Sequence, residues 1–329
     1  MRPYQYRCND YSLLTPAFKR FMVAPLIRII PWGVPANIIT IFANLFIYAS
    51  LFLSLNPAFG LYKNVLISGS LLIYLIGDHL DGMQAKRTGT GSALGEFCDH
   101  YLDAFNNGVI LFTMFTVFGS SNPIVIGGVI TASYLAHLSI FYEQFKTGWL
   151  TFEKIGSLEG VLFAAGIIAL ASFAPVNDFL TNKVAYTLTV FELIMITSSI
   201  GAILTFNRTV KRTPDVKKAF WVFCLVMIVI TGLSIHQFTT VQLFVILSLY
   251  ASLYIGRIMR GHLVDGIERT TDLPTVFYLF LLMFFEFLPN PYSFLILTGY
   301  LSIYIGYLII QVFSSLKIFW VWRNPGSQS

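Results

Sequence analysis

DHLDGMQAKRTGTGSALGEFCDHYLD, residues 78–103, places Asp78, Asp81, Asp99 and Asp103 at the junction of two apolar stretches. The segment begins at the end of one predicted membrane span and finishes inside the next. Asp78 and Asp81 are three apart and share a face if the segment is helical. Asp99 and Asp103 are four apart and share a face on the following helix. The Gly- and Ser-rich joint between them turns one pair back towards the other, so four carboxylates converge at a membrane boundary. Unpaired acids there repel one another and are costly to bury.

Working outward, the chain is 56% hydrophobic and 11% charged over 329 residues, with a mean hydropathy of +0.72. Soluble domains carry about 25% charged residues, so a large soluble protein with buried helices lacks the polar surface it would need. Apolar runs of about 20 residues suit the hydrocarbon core of a bilayer. The expected fold is all-α, a polytopic membrane helix bundle. Ten spans are predicted near 37–55, 62–78, 97–118, 122–142, 158–175, 185–206, 219–235, 241–257, 273–289 and 293–316. Ahead of them, residues 16–32 mix basic and apolar side chains at helical spacing, which predicts an amphipathic helix lying in the interface. This gives three regions: 1–36 as a cytoplasmic N-terminus, 37–206 as catalytic helices, and 207–329 as further transmembrane helices.

With the N-terminus inside, 19 of the 21 Lys and Arg residues fall on inside segments, and only Lys63 and Lys183 fall outside. The positive-inside rule then puts both termini and the 78–103 cluster on the cytoplasmic side. The same rule accounts for the net charge of +5 without nucleic acid as a partner. Cys8, Cys98 and Cys224 show no metal-type or disulfide spacing and are expected as reduced thiols. The N-terminus lacks the apolar stretch of a cleavable signal, and the C-terminus shows no retention or lipidation pattern.

All-oxygen ligation selects hard cations, so Asp78, Asp81, Asp99 and Asp103 are candidate ligands for Mg²⁺ or Mn²⁺ rather than zinc. Four carboxylates suit two ions, and such a pair can hold bridging phosphates of a nucleotide. A carboxylate left partly free can take a proton from an attacking hydroxyl. Gly82 and Ala85 leave room for close approach of a pyrophosphate, and Gly95 permits tight helix contact. The structural alternative is helix caps with salt bridges to Lys86 and Arg87. A further alternative, a cation-coupled transporter, calls for a midplane site and inverted repeats, and neither is evident.

The spacing Asp-x2-Asp-Gly-x2-Ala-Lys-x8-Gly-x3-Asp-x3-Asp resembles the signature of the CDP-alcohol phosphotransferase family. It is met at Asp78, Asp81, Gly82, Ala85, Gly95, Asp99 and Asp103, while Lys86 stands where Arg is usual. The resemblance implies two metal ions on the four aspartates, Asp99 and Asp103 as catalytic residues with Asp103 as base, and a homodimer. It also implies a CDP-linked donor bound by Asp81, Gly82, Ala85, Lys86, Arg87 and Gly95, and a lipid acceptor in the bilayer. Lys86 keeps the charge but loses the bidentate fork, which Arg87 is placed to supply. The stretches LGEFCDH (94–100), YEQFKTGWLTFEKIGSLEGVLF (142–163), YSLLTP and PANIIT (35–40) are similar to the choline and ethanolamine phosphotransferase branch. That likeness covers roughly residues 10–165; beyond it, only the number of spans agrees. A CDP-alcohol donor and a diradylglycerol-like acceptor are therefore expected. The alternative is a CDP-diacylglycerol donor with inositol, serine or glycerol phosphate as acceptor. The compartment would be a bacterial inner membrane or a eukaryotic endoplasmic reticulum or Golgi.

Other polar residues stand in apolar surroundings. Glu159 either orients the donor head group or serves the start of its helix electrostatically. His100, beside Asp99, is a candidate for orienting a ligand or moving a proton. His79 is expected on a solvated face and Glu143 at the interface. His137, Glu192 and Glu286 are expected in hydrogen-bonded packing rather than a lipid cavity.

Overall fold

The computed structural model describes residues 6–185, 187–285 and 288–316. Helix dominates, and helices stand at all ten places where spans are expected. They are α3 (Ala36–Leu55), α4 (Lys63–Thr88), α5 (Ala93–Val117), α6 (Pro123–Thr147) and α7 (Ser157–Leu170), the last followed by a short α8 (Ala174–Thr181). Next come α9 (Val190–Arg212), α10 (Lys218–Gln237), α11 (Thr240–Arg260), α12 (Leu273–Phe285) and α13 (Tyr292–Leu316). Six of the described helices are long and apolar enough to cross a membrane, or seven if the bent pair of α7 and α8 is one span. The chain is thus a multi-pass membrane protein.

Two boundaries differ from expectation. The span expected at 158–175 is broken: α7 and α8 meet at 115°. At about 1.5 Å per residue, the 14 residues of α7 fall short of a core about 30 Å thick. The span expected to end at 78 instead continues as helix to Thr88, and α5 starts at Ala93, so the reversal between them is only four residues long. Gly89 adopts φ +64°, a left-handed cap that only a residue without Cβ takes cheaply, and its N–H bonds to Ala85 O. Ser92 caps α5 by accepting from Gly95 N at 3.1 Å.

The N-terminal region combines a short strand with a helical stretch. β1 (Cys8–Asp10) pairs with β2 (Leu150–Phe152), and the ladder continues as Tyr11 N to Phe152 O and Leu13 N to Lys154 O. Helical turns then run from α1 (Thr15–Phe18) through wider turns at Lys19–Val23 to α2 (Ala24–Ile27). Phe18, Val23 and Ile27 are buried, while Lys19, Arg20, Phe21 and Met22 are exposed.

The chain divides into two compact units. The first comprises residues 6–118 and 151–180 with the start of 313–329. Within it α3 and α4 run antiparallel and meet most closely at Gly77, where a Cβ would lie 2.5 Å from Ala43 Cβ. The Ser68 hydroxyl of α4 donates to Ala165 O of α7 at 2.6 Å. The second unit comprises 119–150 and 181–312. There α6 runs parallel to α9, with Ser120 bonded to Glu192 near one end and Glu143 to Arg212 near the other. It also runs parallel to α11, since Gly127 packs near Leu243 and Gly261 near Phe145. α10 runs the opposite way: Thr131 bonds Thr231, and Tyr142 packs on Phe220 with ring centroids 4.6 Å apart.

Candidate metal centre

The short turn at Gly89–Ser92 reverses the chain so that α4 and α5 both pack on α3 and their acidic faces come together. Asp78, Asp99 and Asp103 each present a carboxylate oxygen, and these oxygens lie within 4.8 Å of one another. All three are half-buried. Asp81 is buried and close enough to feel the charge of Asp78, Asp99 and Asp103, but its Oδ2 accepts from the Thr40 hydroxyl of α3.

α3 supplies the floor of this site. Thr40 and Asn44 are four apart and share the face turned to α4 and α5. Asn44 donates to Thr40 O at 2.8 Å and accepts at Oδ1 from Asn106 Nδ2 at 2.7 Å. The same Asn106 amide lies 3.3 Å from both Tyr74 Oη and Asp103 Oδ1, and Tyr74 donates to Asp103 Oδ1 at 2.7 Å. Asp103 Oδ1 is therefore held by two donors. Its Oδ2 accepts no hydrogen bond from the described residues, which leaves it to the cluster. Neither Thr40, Asn44, Tyr74 nor Asn106 is foreseen from the acidic pattern. The signal in the sequence is small: two polar residues at helical spacing inside an apolar run, and one Asn three places after Asp103.

A hard cation fits this chemistry. Three carboxylates whose oxygens lie this close are a donor set that a hard divalent cation accepts.

The remaining expected residues are placed as follows. Gly82 and Lys86 are exposed, and nothing lies within 4 Å of a Cβ built on Gly82, while Ala85 is half-buried. A Cβ on Gly95 would meet Asn37 Oδ1 and Ser92 Oγ at 3.4 Å, an ordinary contact; the tight helix approach expected at Gly95 occurs instead at Gly77. Arg87 donates to Ile27 O at 2.6 Å and Ile30 O at 2.7 Å, and its guanidinium lies 4.6 Å from the Trp32 ring centre. Gln84 adds bonds to Pro31 O and Val34 O. The last turn of α4 thus clamps the 27–34 turn through its carbonyls.

His100 is buried, with Nε2 3.8 Å from Asp99 Oδ2 and Nδ1 4.0 Å from Glu96 Oε1. His79 is half-buried rather than on an open face: it lies 3.3 Å from Asp78 Oδ2, and Phe18 packs edge-on to its ring at 5.3 Å. Glu159 is the third residue of α7 and closes a capping box with Gly156 N at 2.8 Å. Its other oxygen accepts from the Ser12 hydroxyl at 2.6 Å and Leu14 N at 3.1 Å, tying down the N-terminal segment. Glu143 is buried rather than interfacial, because Arg212 grips it with two bonds of 2.9 and 3.1 Å. Glu192 caps α9 at Thr189 and accepts from Ser120, and the His137 ring packs edge-on against Phe141. Glu286 lies outside the described residues.

The acidic seam shared by α4 and α5 is thus a candidate cation site in a multi-pass membrane protein. Residues 34–197 match the family model for CDP-alcohol phosphatidyltransferases. That segment carries the family's domain, and members of the family are transferases of phosphate-containing groups.

Among curated proteins, it is 28% identical over 180 residues to an uncharacterized class-I family protein of Schizosaccharomyces pombe, covering 51% of this chain and 46% of that one. It is 32% identical over 180 residues to a CDP-diacylglycerol–serine O-phosphatidyltransferase of Encephalitozoon cuniculi, covering 50% and 45%. To choline/ethanolaminephosphotransferase 1 of Saccharomyces cerevisiae it is 24% identical over 223 residues, covering 59% and 56%. The chain spans about half the length of the curated relatives it matches.

Proposed function

We propose that the chain transfers phosphoethanolamine or phosphocholine from the CDP-alcohol to a diradylglycerol-like lipid, releasing CMP. The observation that carries this reading is the meeting of the Asp78, Asp99 and Asp103 oxygens within 4.8 Å, on the spacing the family shares. Asp78, Asp81, Asp99 and Asp103 would hold two Mg²⁺ or Mn²⁺ ions. When bound, these ions offset the charge of the donor's phosphates.

The chain's own part follows from geometry. Asp103, fixed through Oδ1 by Tyr74 and Asn106, keeps Oδ2 to accept the proton of the lipid hydroxyl. The hydroxyl oxygen bonds to the phosphorus that bears the alcohol, the anhydride P–O bond breaks, and CMP leaves with its electron pair. Lys86 would meet the donor's phosphates, a role its exposure one turn from the open surface at Gly82 supports, with Ala85 and Gly95 giving space. Arg87 contributes by holding the 27–34 turn rather than with a free fork. His100, 3.8 Å from Asp99, would orient that carboxylate.

A ten-span fold would have spans four, six and eight run one way and span seven the other, as α6, α9 and α11 do against α10; a cytoplasmic site rests on the distribution of Lys and Arg. The interfacial helix expected over 16–32 would correspond to the helical turns up to Ile27, which expose Phe21 and Met22, with Ile29 and Trp32 exposed in the turn that follows. The catalytic region is assigned to 37–206, which the family match at 34–197 supports.

A second reading rests on the Encephalitozoon relative named as a serine phosphatidyltransferase: CDP-diacylglycerol as donor and a polar alcohol as acceptor. Membranes containing the protein are offered labelled CDP-ethanolamine, CDP-choline or CDP-diacylglycerol with matched acceptors. CMP release with the first two supports the leading reading. Release with CDP-diacylglycerol alone overturns it in favour of the second.

A further inference from the structure

α11 ends with Arg257 and Arg260, three apart and so on one face. Cations at a helix C-terminus are favoured by the macrodipole, and at a membrane edge they ordinarily extend their heads into water. These two do not: their side chains are only 12% and 21% exposed. A buried guanidinium needs acceptors for its five N–H groups.

The carboxylates within reach are already engaged. Asp272 caps α12 through Thr275 N at 3.0 Å and accepts from the Tyr300 hydroxyl at 3.2 Å, so Arg257 comes no nearer than 3.6 Å. Asp265 is gripped by both terminal nitrogens of Arg269, and Arg260 Nε stands 3.6 Å away. The nearby Glu268 is bonded to Tyr142 and Lys146. Arg260 finds the neutral Gln311 side chain of α13, while Arg257 makes no hydrogen bond among the described residues and lies 5.5 Å from the Tyr304 ring centre. The Nε atoms of both arginines are buried without a hydrogen-bond partner. Arg257, Arg260 and Arg269 against Asp265 and Asp272 leave an excess positive charge.

We propose that Arg257 and Arg260, with Tyr304 and Gln311, bind an anionic phosphate group at this end of α11. Two guanidinium forks offer the paired donors that phosphate oxygens accept, and the Tyr304 ring steadies the plane of one of them. The phosphate is either that of an anionic phospholipid head group or a free one. The site stands on α11 and α13 and shares no residue with the Asp78–Asp103 seam, and so goes beyond the transferase reading.

The full chain, purified in neutral detergent without any CDP substrate, is titrated with inorganic phosphate or with micelles doped with phosphatidic acid. Thermal unfolding reports binding. Peptide mapping after phenylglyoxal treatment reports protection of Arg257 and Arg260. Saturable stabilisation and protection are expected, and in Arg257→Gln/Arg260→Gln the midpoint ligand concentration rises about tenfold or more. A response to phosphatidic acid alone assigns the site to a head group; a response to inorganic phosphate assigns it to a soluble anion. Should the double variant fail to fold, Arg257→Lys, which keeps charge and loses the fork, takes its place beside the wild-type protection data. Equal titrations in wild type and variant, or no protection by either probe in wild type, overturn the proposal. Neither outcome touches the transferase reading, since no substrate is present.

Discussion

Gly77 of α4 lies against Ala43 of α3 so closely that a Cβ at position 77 would stand 2.5 Å from the Ala43 Cβ. Small residues let membrane helices approach in this way. The contact sits between two bonds that serve the acidic seam, Thr40 to Asp81 and Asn44 to Asn106. Gly77→Leu is expected to push α3 away, at an overpacking cost of about 1–3 kcal/mol. Thermal unfolding in detergent should fall, and CMP release should fall further than unfolding alone explains.

Asn106 shares one amide among Asn44, Tyr74 and Asp103. Asn106→Ala leaves the buried Asn44 Oδ1 without its donor and lets Asp103 swing. The turnover number should drop on the order of 10–100-fold, as small misplacements of reacting groups do, with the KM for the donor little changed. Steady-state kinetics beside Tyr74→Phe checks this. A rise in KM at unchanged turnover would show that the amide serves binding instead.

Asp99→Asn and Asp103→Asn remove a charge while keeping shape. CMP release should fall by about two orders of magnitude or more in each. Circular dichroism should show unchanged helix content.

Chelation gives an independent check on the same cluster. Dialysis against EDTA should abolish CMP release, and Mg²⁺ or Mn²⁺ should restore it while Zn²⁺ does not. Manganese bound to the wild-type chain should give an electron paramagnetic resonance signal that Asp78→Asn weakens.

Glu159 ties Ser12 and Leu14 to the start of α7 while capping that helix. Glu159→Ala loses the cap, worth about 1 kcal/mol, and frees the N-terminal segment. Trypsin should cut at the exposed Lys19 and Arg20 several times faster than in wild type. Equal cleavage rates would mean that the β1 ladder holds the segment without help.

The seam itself is legible in the sequence because its spacing is local: three and four residues fix faces, and glycine marks the reversal. Helix positions are legible for the same reason, since each apolar run carries its own signal. The floor of the site is not. Thr40 meets Asp81 and Asn44 meets Asn106 across 41 and 62 residues, and no periodicity announces such pairs. Arg87 misleads for a related reason. Its position beside Lys86 suggests a phosphate contact, yet the backbone carbonyls of residues 27 and 30 were waiting for donors. The bend after α7 escaped because hydropathy measures composition along a run and not its direction.

The reversal at Gly89–Ser92 has one more consequence. Each residue added to or removed from a helix turns everything beyond it by about 100°. The interval from Asp81 to Asp99 therefore acts as a yardstick, counting out one helix end, a turn, and the descent of the next. A chain that kept all four acids but lengthened this interval by a single residue would own every ingredient of the chemistry and aim half of it at the wrong neighbour.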